Sequence, residues 1–170
     1  QNNQSVLVVA NHVSWWDGFW VEYLNLKRFQ KKFYFMMLEE QLKKHWYFQY
    51  TGGFSIKKKS KEAMESLTYA ASLLRESNNL VLMFPQGKIH SIHKNNVPFE
   101  KGIERILSQV PSETPVLFVA SFVDYFSNNK PNVYMYQESF LAGDFETTSI
   151  ETKYHRFYEE KQRFQQEMTS

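Results

Sequence analysis

An imidazole and a carboxylate five residues apart, His12 and Asp17 in "NHVSWWD", are the pair in this sequence best suited to moving a proton. A carboxylate on one ring nitrogen fixes the tautomer and makes the other nitrogen a better base. Such a base suits the deprotonation of a hydroxyl. On a helix, five residues turn through about 140°, at roughly 100° per residue, so the two do not share a helical face. A strand-to-helix turn, by contrast, can fold Asp17 back onto the imidazole. Spacing alone leaves a second reading open, with Asp17 as a helix N-cap and His12 as a turn residue. A metal site built from His12, His90 and His93 is disfavoured, because there is no helical His-Glu-x-x-His spacing and no cysteine. Ser14 is a possible nucleophile, but no Gly-x-Ser-x-Gly elbow surrounds it. Asn11 and Ser14 read instead as turn or capping residues.

The pair must be positioned by the elements around it. "SVLVVA" (5–10) is a continuous apolar run with β-branched residues, which predicts a buried strand ending just before Asn11 and His12. From Asp17 to about Phe29 the pattern predicts a helix with Phe19, Trp20, Tyr23 and Leu24 inward. "KFYFMML" predicts a strand. Residues from about Glu39 to Tyr50 predict a helix that stops at the "TGG" breaker, and "GFSIK" a short strand. Ser60 is placed to cap a helix with Met64, Leu67, Ala71 and Leu74 on its apolar side. "NLVLMF" predicts a strand stopping at Pro85, and Gly102 to Gln109 a helix. "PVLFVASF" and "NVYMYQ" predict strands, and Ile150 to Met168 a helix with Ile150, Tyr154, Phe157, Phe164 and Met168 on one side. Apolar strands alternating with helices imply a single α/β domain over residues 1–170, with a mostly parallel central sheet flanked by helices. Ligands of such sheets sit at the carboxyl ends of the strands. His12 and Pro85-Gln86-Gly87 both fall just past such ends.

Composition bounds the function. The 170 residues are 42% apolar and 17% aromatic, enough for a real core. With no cysteine, disulfides, thiol nucleophiles and Cys-based zinc sites are excluded. That absence fits a reducing compartment. The net charge of +2 gives no case for nucleic acid, although "LKRFQKK" and "IKKKSK" are local basic clusters. No apolar run approaches the roughly 18 residues needed to span a bilayer. The first residue is Gln rather than Met, so a preceding membrane-associating segment is an expectation.

"NHVSWWD" resembles the H-x4-D signature of the glycerolipid (lysophospholipid) acyltransferase family. Further blocks follow in that family's order. "GGFSIKK" resembles its second block, "FPQGK" its third, and "PFEKGIERI" with "TPVLFVA" its Gly-helix and Pro-containing strand. The resemblance covers about residues 5 to 125. It implies transfer of a fatty acyl group from an acyl-CoA or acyl-carrier-protein thioester, as co-substrate, to a hydroxyl, with no metal or other cofactor. His12 becomes the general base and Asp17 its orienter. The oxyanion donors are left open between the backbone near Gly87 and the start of the helix after Asp17.

In that family the second block offers a basic residue to the acceptor's phosphate. Lys58 aligns best with that position, with Lys57 as the adjacent alternative. The third block departs from the pattern twice. Gln86 stands where Glu is usual, and Lys88-Ile89 stand where Thr-Arg is usual. Lys88 is then the cation left to reach a phosphate from the next position, with Gln86 and Gly87 beside it. The acceptor is therefore open: a glycerol phosphate, a lysophospholipid, an amino-acid lipid or a glycoside. Trp15, Trp16, Phe19 and Trp20 crowd the catalytic turn; most are expected in the core, one or two at an acyl groove or at lipid. The implied partners are the thioester donor, a lipid-like alcohol and a membrane surface bound peripherally on its cytoplasmic face, with an acyl carrier protein as a further option. Two rival readings are a hydrolase using the same pair on water and a non-catalytic lipid-binding domain.

Overall fold

The computed structural model describes residues 3–57, 61–94 and 98–169. Six strands form one sheet: β1 (Val6–Ala10), β2 (Lys32–Leu38), β3 (Gly53–Ile56), β4 (Asn79–Met83), β5 (Pro115–Asp124) and β6 (Asn132–Leu141). Their order is β3-β2-β4-β1-β5-β6. The first five run parallel, and β6 pairs antiparallel with β5. The helices are α1 (Asp17–Leu24), α2 (Glu39–Lys44), α3 (Lys61–Arg75), α4 (Ile103–Leu107) and α5 (Ile150–Glu167). This is the α/β architecture that the alternating pattern predicts.

Side chains alternate across a strand, and β1 divides the core accordingly. Leu7 and Val9 join Phe118 of β5 and the apolar sides of α3, α4 and α5. Val6, Val8 and Ala10 point to the opposite face, where Val21 of α1 is the buried helical partner. One face of the sheet is thus covered by three helices. The other is covered by α1 and by half-buried rings such as Phe33 and Phe35.

Four helical expectations are corrected. In α1, Phe19 and Tyr23 are exposed, while Asp17, Val21 and Asn25 are buried. The cause is angular. Asp17 turns inward, and residues four and eight further on share its side at about 100° per residue, whereas Phe19 and Tyr23 fall roughly opposite. The segment from Glu39 splits: α2 ends at Lys44, and a 3-10 turn spans Trp46–Thr51. Gly52 closes that turn at φ 94, where a Cβ would lie 2.0 Å from the Phe33 carbonyl oxygen. In α3 and α5, Met64 and Phe164 are exposed, while Ala70, Leu73 and Gln165 are inside. Gln165 is held by polar partners, accepting from the Tyr136 hydroxyl at 2.6 Å and donating to Asp124 Oδ2 at 2.6 Å. The expected cap, Ser60, lies outside the described residues.

Candidate active site

β1 and its parallel neighbour β4 end side by side, with Val9 level with Met83, while β5 is level with Ala10 at Val119 and runs on to Asp124. The segments that leave β1 and β4 therefore emerge at one edge of the sheet. Asn11 is the first residue beyond β1. Its side chain donates to the Ser121 carbonyl at 2.9 Å and accepts from the Ser121 N–H at 2.8 Å. Both bonds are buried, so the exit of the chain from β1 is tied to β5.

His12 follows. Its Nδ1 lies 2.9 Å from Asp17 Oδ2. The same carboxylate oxygen accepts the backbone N–H groups of Val13 at 2.7 Å and Ser14 at 2.9 Å. Asp17 is therefore not the N-cap of α1. That position is Trp16, which makes no side-chain cap bond. Asp17 reaches back over the turn and gathers three N–H groups on one oxygen. A carboxylate only accepts, so Nδ1 is the donor in this contact, and a neutral imidazole held this way has its lone pair on Nε2. The His12 side chain is 21% exposed while Asp17 is 1% exposed. Among the described residues Nε2 has no partner. The opposite carboxylate oxygen, Oδ1, is buried and also has none.

The third block braces His12 from the other side. The Phe84 ring stacks on the imidazole, with centroids 4.1 Å apart and planes 13° from parallel. The side-chain oxygen of Gln86 accepts the His12 N–H. The His12 carbonyl accepts the His90 N–H at 2.9 Å. Gln86, expected to face substrate, is thus engaged with the backbone of His12. An amide oxygen accepts an N–H as a carboxylate does, which removes the apparent penalty of Gln for Glu. Gly87 holds φ at 66 in the turn, and its N–H donates to the Phe84 carbonyl at 3.0 Å. That donor is spent on the turn and not directed at an oxyanion. Ser14 Oγ accepts the Trp16 N–H at 3.1 Å, within the turn.

The basic residues divide. Lys88, the last residue of the third block, is exposed. Burial, then the charges of Lys94 and Lys88, push the His90 imidazole below its usual range. Those charges mark a positive field on this loop. Lys57 lies past the end of edge strand β3 and pairs with Glu62 at 3.2 Å, both side chains being more than half exposed. Three strand spacings, about 14 Å, separate β3 from β1. Lys58 lies outside the described residues. No group of three or more His, Asp or Glu that could hold a metal occurs among the described residues, so His12, His90 and His93 do not assemble into one.

Phe84 is the site residue the sequence reading passed over. Its signal was its place as the first residue of "FPQGK", one position beyond a strand end.

A family model described as Acyltransferase matches residues 1–122, which contain every residue of the site just described. The 1-acyl-sn-glycerol-3-phosphate acyltransferase of Streptococcus pneumoniae (strain ATCC BAA-255 / R6) is 27% identical over 92 residues. That match covers 52% of this chain and 33% of the relative, so the two share a third of the relative's length.

Proposed function

The chain belongs to the acyltransferase family, and from that premise we propose that it transfers a fatty acyl group from a thioester to the hydroxyl of a lipid-like acceptor. The donor is acyl-CoA or acyl-carrier protein. The acceptor class we favour is lysophosphatidate-like, in keeping with the name of the S. pneumoniae relative. The observation that carries the reading is the His12–Asp17 contact at Nδ1, which leaves Nε2 as the unpartnered base.

In the proposed reaction Nε2 takes the proton of the acceptor hydroxyl, and the oxygen attacks the thioester carbonyl. Asp17 offsets the charge of the imidazolium. The tetrahedral oxyanion collapses, the C–S bond breaks, and the thiolate leaves with the proton from His12. The products are an ester and a free thiol, with no acyl-enzyme. The oxyanion needs N–H donors. The first amides of a helix have no intrahelical acceptor, which makes the N–H groups of Gly18 and Phe19 the candidates. Space supports this, since a Cβ built on Gly18 meets nothing within 4 Å. Lys88 and Lys94 supply the cations for an acceptor phosphate, taking the place of the Arg that Ile89 lacks. No described helix is long and apolar enough to cross a membrane, and attachment is proposed to be peripheral.

The test is incubation with labelled acyl-CoA, with and without a total lipid extract, followed by mass spectrometry. Labelled ester that forms only with the extract is expected. Free fatty acid released equally fast in both would overturn transfer and leave a hydrolase. No turnover of either kind would leave a binding domain.

A further inference from the structure

The helix beside the site is apolar on its outer side. Trp16 is 58% exposed and Tyr23 62%, with Phe19 between them and Leu26 one turn beyond. These four positions lie three, four and three residues apart, which is one helical stripe. The stripe continues into a second element. Trp15 lies 4.7 Å from the His45 ring, and both Trp15 and Phe19 lie about 6 Å from Phe48, at 5.9 and 6.1 Å. His45 and Phe48 belong to the segment that also carries Trp46, 61% exposed, and Tyr50, 75% exposed. The result is one aromatic face spanning α1 and the 3-10 turn, starting three residues from His12. Contiguous exposed apolar surface of this kind marks an interaction site.

We infer that this face is where the chain docks on an anionic lipid bilayer, in the headgroup and upper acyl region. The inference deepens the reading of a lipid acceptor and, for its purpose, rests on it. Composition and charge favour a bilayer over a second copy or a protein partner. The face is built chiefly of Trp and Tyr, rings with an apolar body and a polar tip, which are enriched where hydrocarbon meets headgroups. Cations stand at both of its ends. Lys27 lies over the Tyr23 ring at 5.5 Å from the centroid, with Arg28 next to it. Lys43 and Lys44 end α2 immediately before the aromatic turn. Of the carboxylates on these elements, Asp17 is buried in the turn, Glu22 accepts from Asn25 and Glu39 pairs with Lys43, leaving Glu40 exposed. Long cationic side chains at the rim of an apolar face suit anionic headgroups. Docked this way, the turn that carries His12 lies next to the bilayer, because Trp15 and Trp16 belong to both the turn and the face.

The probe is vesicles of phosphatidylcholine with phosphatidylglycerol, and phosphatidylcholine carrying bromine in the acyl chain. The unmodified chain is expected to sediment with the vesicles, with its tryptophan emission shifted to the blue and quenched by the bromolipid. A quadruple variant, Tyr23→Ser, Leu26→Ser, Trp46→Ser and Tyr50→Ser, leaves the catalytic turn untouched. It should bind at least about tenfold more weakly, while acylating a short-chain, water-soluble acceptor at the unmodified rate. Binding without quenching, equal binding by a folded variant, or a stable dimer whose tryptophans are already shielded from acrylamide would each overturn the inference. The quenching of the unmodified chain decides the matter even where the variant does not fold. Absence of acylation with either acceptor, alongside intact vesicle binding and quenching, would count against acyl transfer and not against the docking face.

Discussion

His12 is held by four groups that fix different things. Asp17 fixes the tautomer, Phe84 the ring plane, Gln86 the peptide N–H and His90 the peptide carbonyl. These roles predict separable effects. His12→Ala removes the base and should cost several powers of ten in acyl transfer. Asp17→Asn keeps the shape but not the fixed proton acceptor, and should lower kcat by roughly a thousandfold, with less effect on KM. Steady-state kinetics on a soluble acceptor checks both; an unchanged rate in either would remove that residue from the mechanism. Gln86→Glu retains an oxygen for the His12 N–H and should stay within a few-fold of the unmodified rate. Gln86→Leu leaves a partly buried N–H unsatisfied, which costs about 1–3 kcal/mol. It should reduce both kcat and thermal stability. The bracing by Gln86 was not legible in the sequence, because an amide beside a glycine turn reads equally well as a ligand contact or a backbone contact. The His12–Asp17 pair was legible as a possibility, and the strand end supplied the turn that joins them.

At the scale of elements, the strands were legible because buried parallel strands are nearly continuous apolar runs. The facing of α1 was not. Its most apolar stripe points outward, since the inward side is chosen by the bonds of Asp17 at its start and of Asn25 at its end. Asn25 donates to the Lys31 carbonyl and accepts the Lys31 N–H, fastening the segment that follows α1 to β2. Helix α5 shows the opposite case, where hydropathy placed Ile150, Tyr154 and Phe157 in the core. The Tyr154 hydroxyl donates to the Val119 carbonyl at 2.8 Å. Burial, then the nearby Tyr158, hold this phenol well above its ordinary range, opposed by a backbone N–H of Asn11. An unfolded tyrosine releases its proton near pH 10, while the folded one retains it at higher pH. The contribution of this group to stability is therefore full below about pH 10 and lost as the pH rises through the folded value. Tyr154→Phe should lower Tm at pH 8 through the lost hydrogen bond, yet decline less steeply above pH 10. Parallel melting curves of the two proteins would sink the assignment.

In the whole molecule, β6 and α5 lie beyond the residues matched by the family, yet they complete the sheet and close the face covered by α3 and α4. The opposite face is left to α1 and the aromatic turn. The edge that carries His12 and the exposed rings therefore meet at Trp15 and Trp16, with no intervening layer. A molecule resting on those rings would draw its alcohol sideways out of a two-dimensional pool. Its velocity should then follow the mole fraction of acceptor within mixed micelles and barely change when the same micelles are diluted in buffer. A rate governed by bulk molarity at fixed micelle composition would mean that the acceptor arrives from solution.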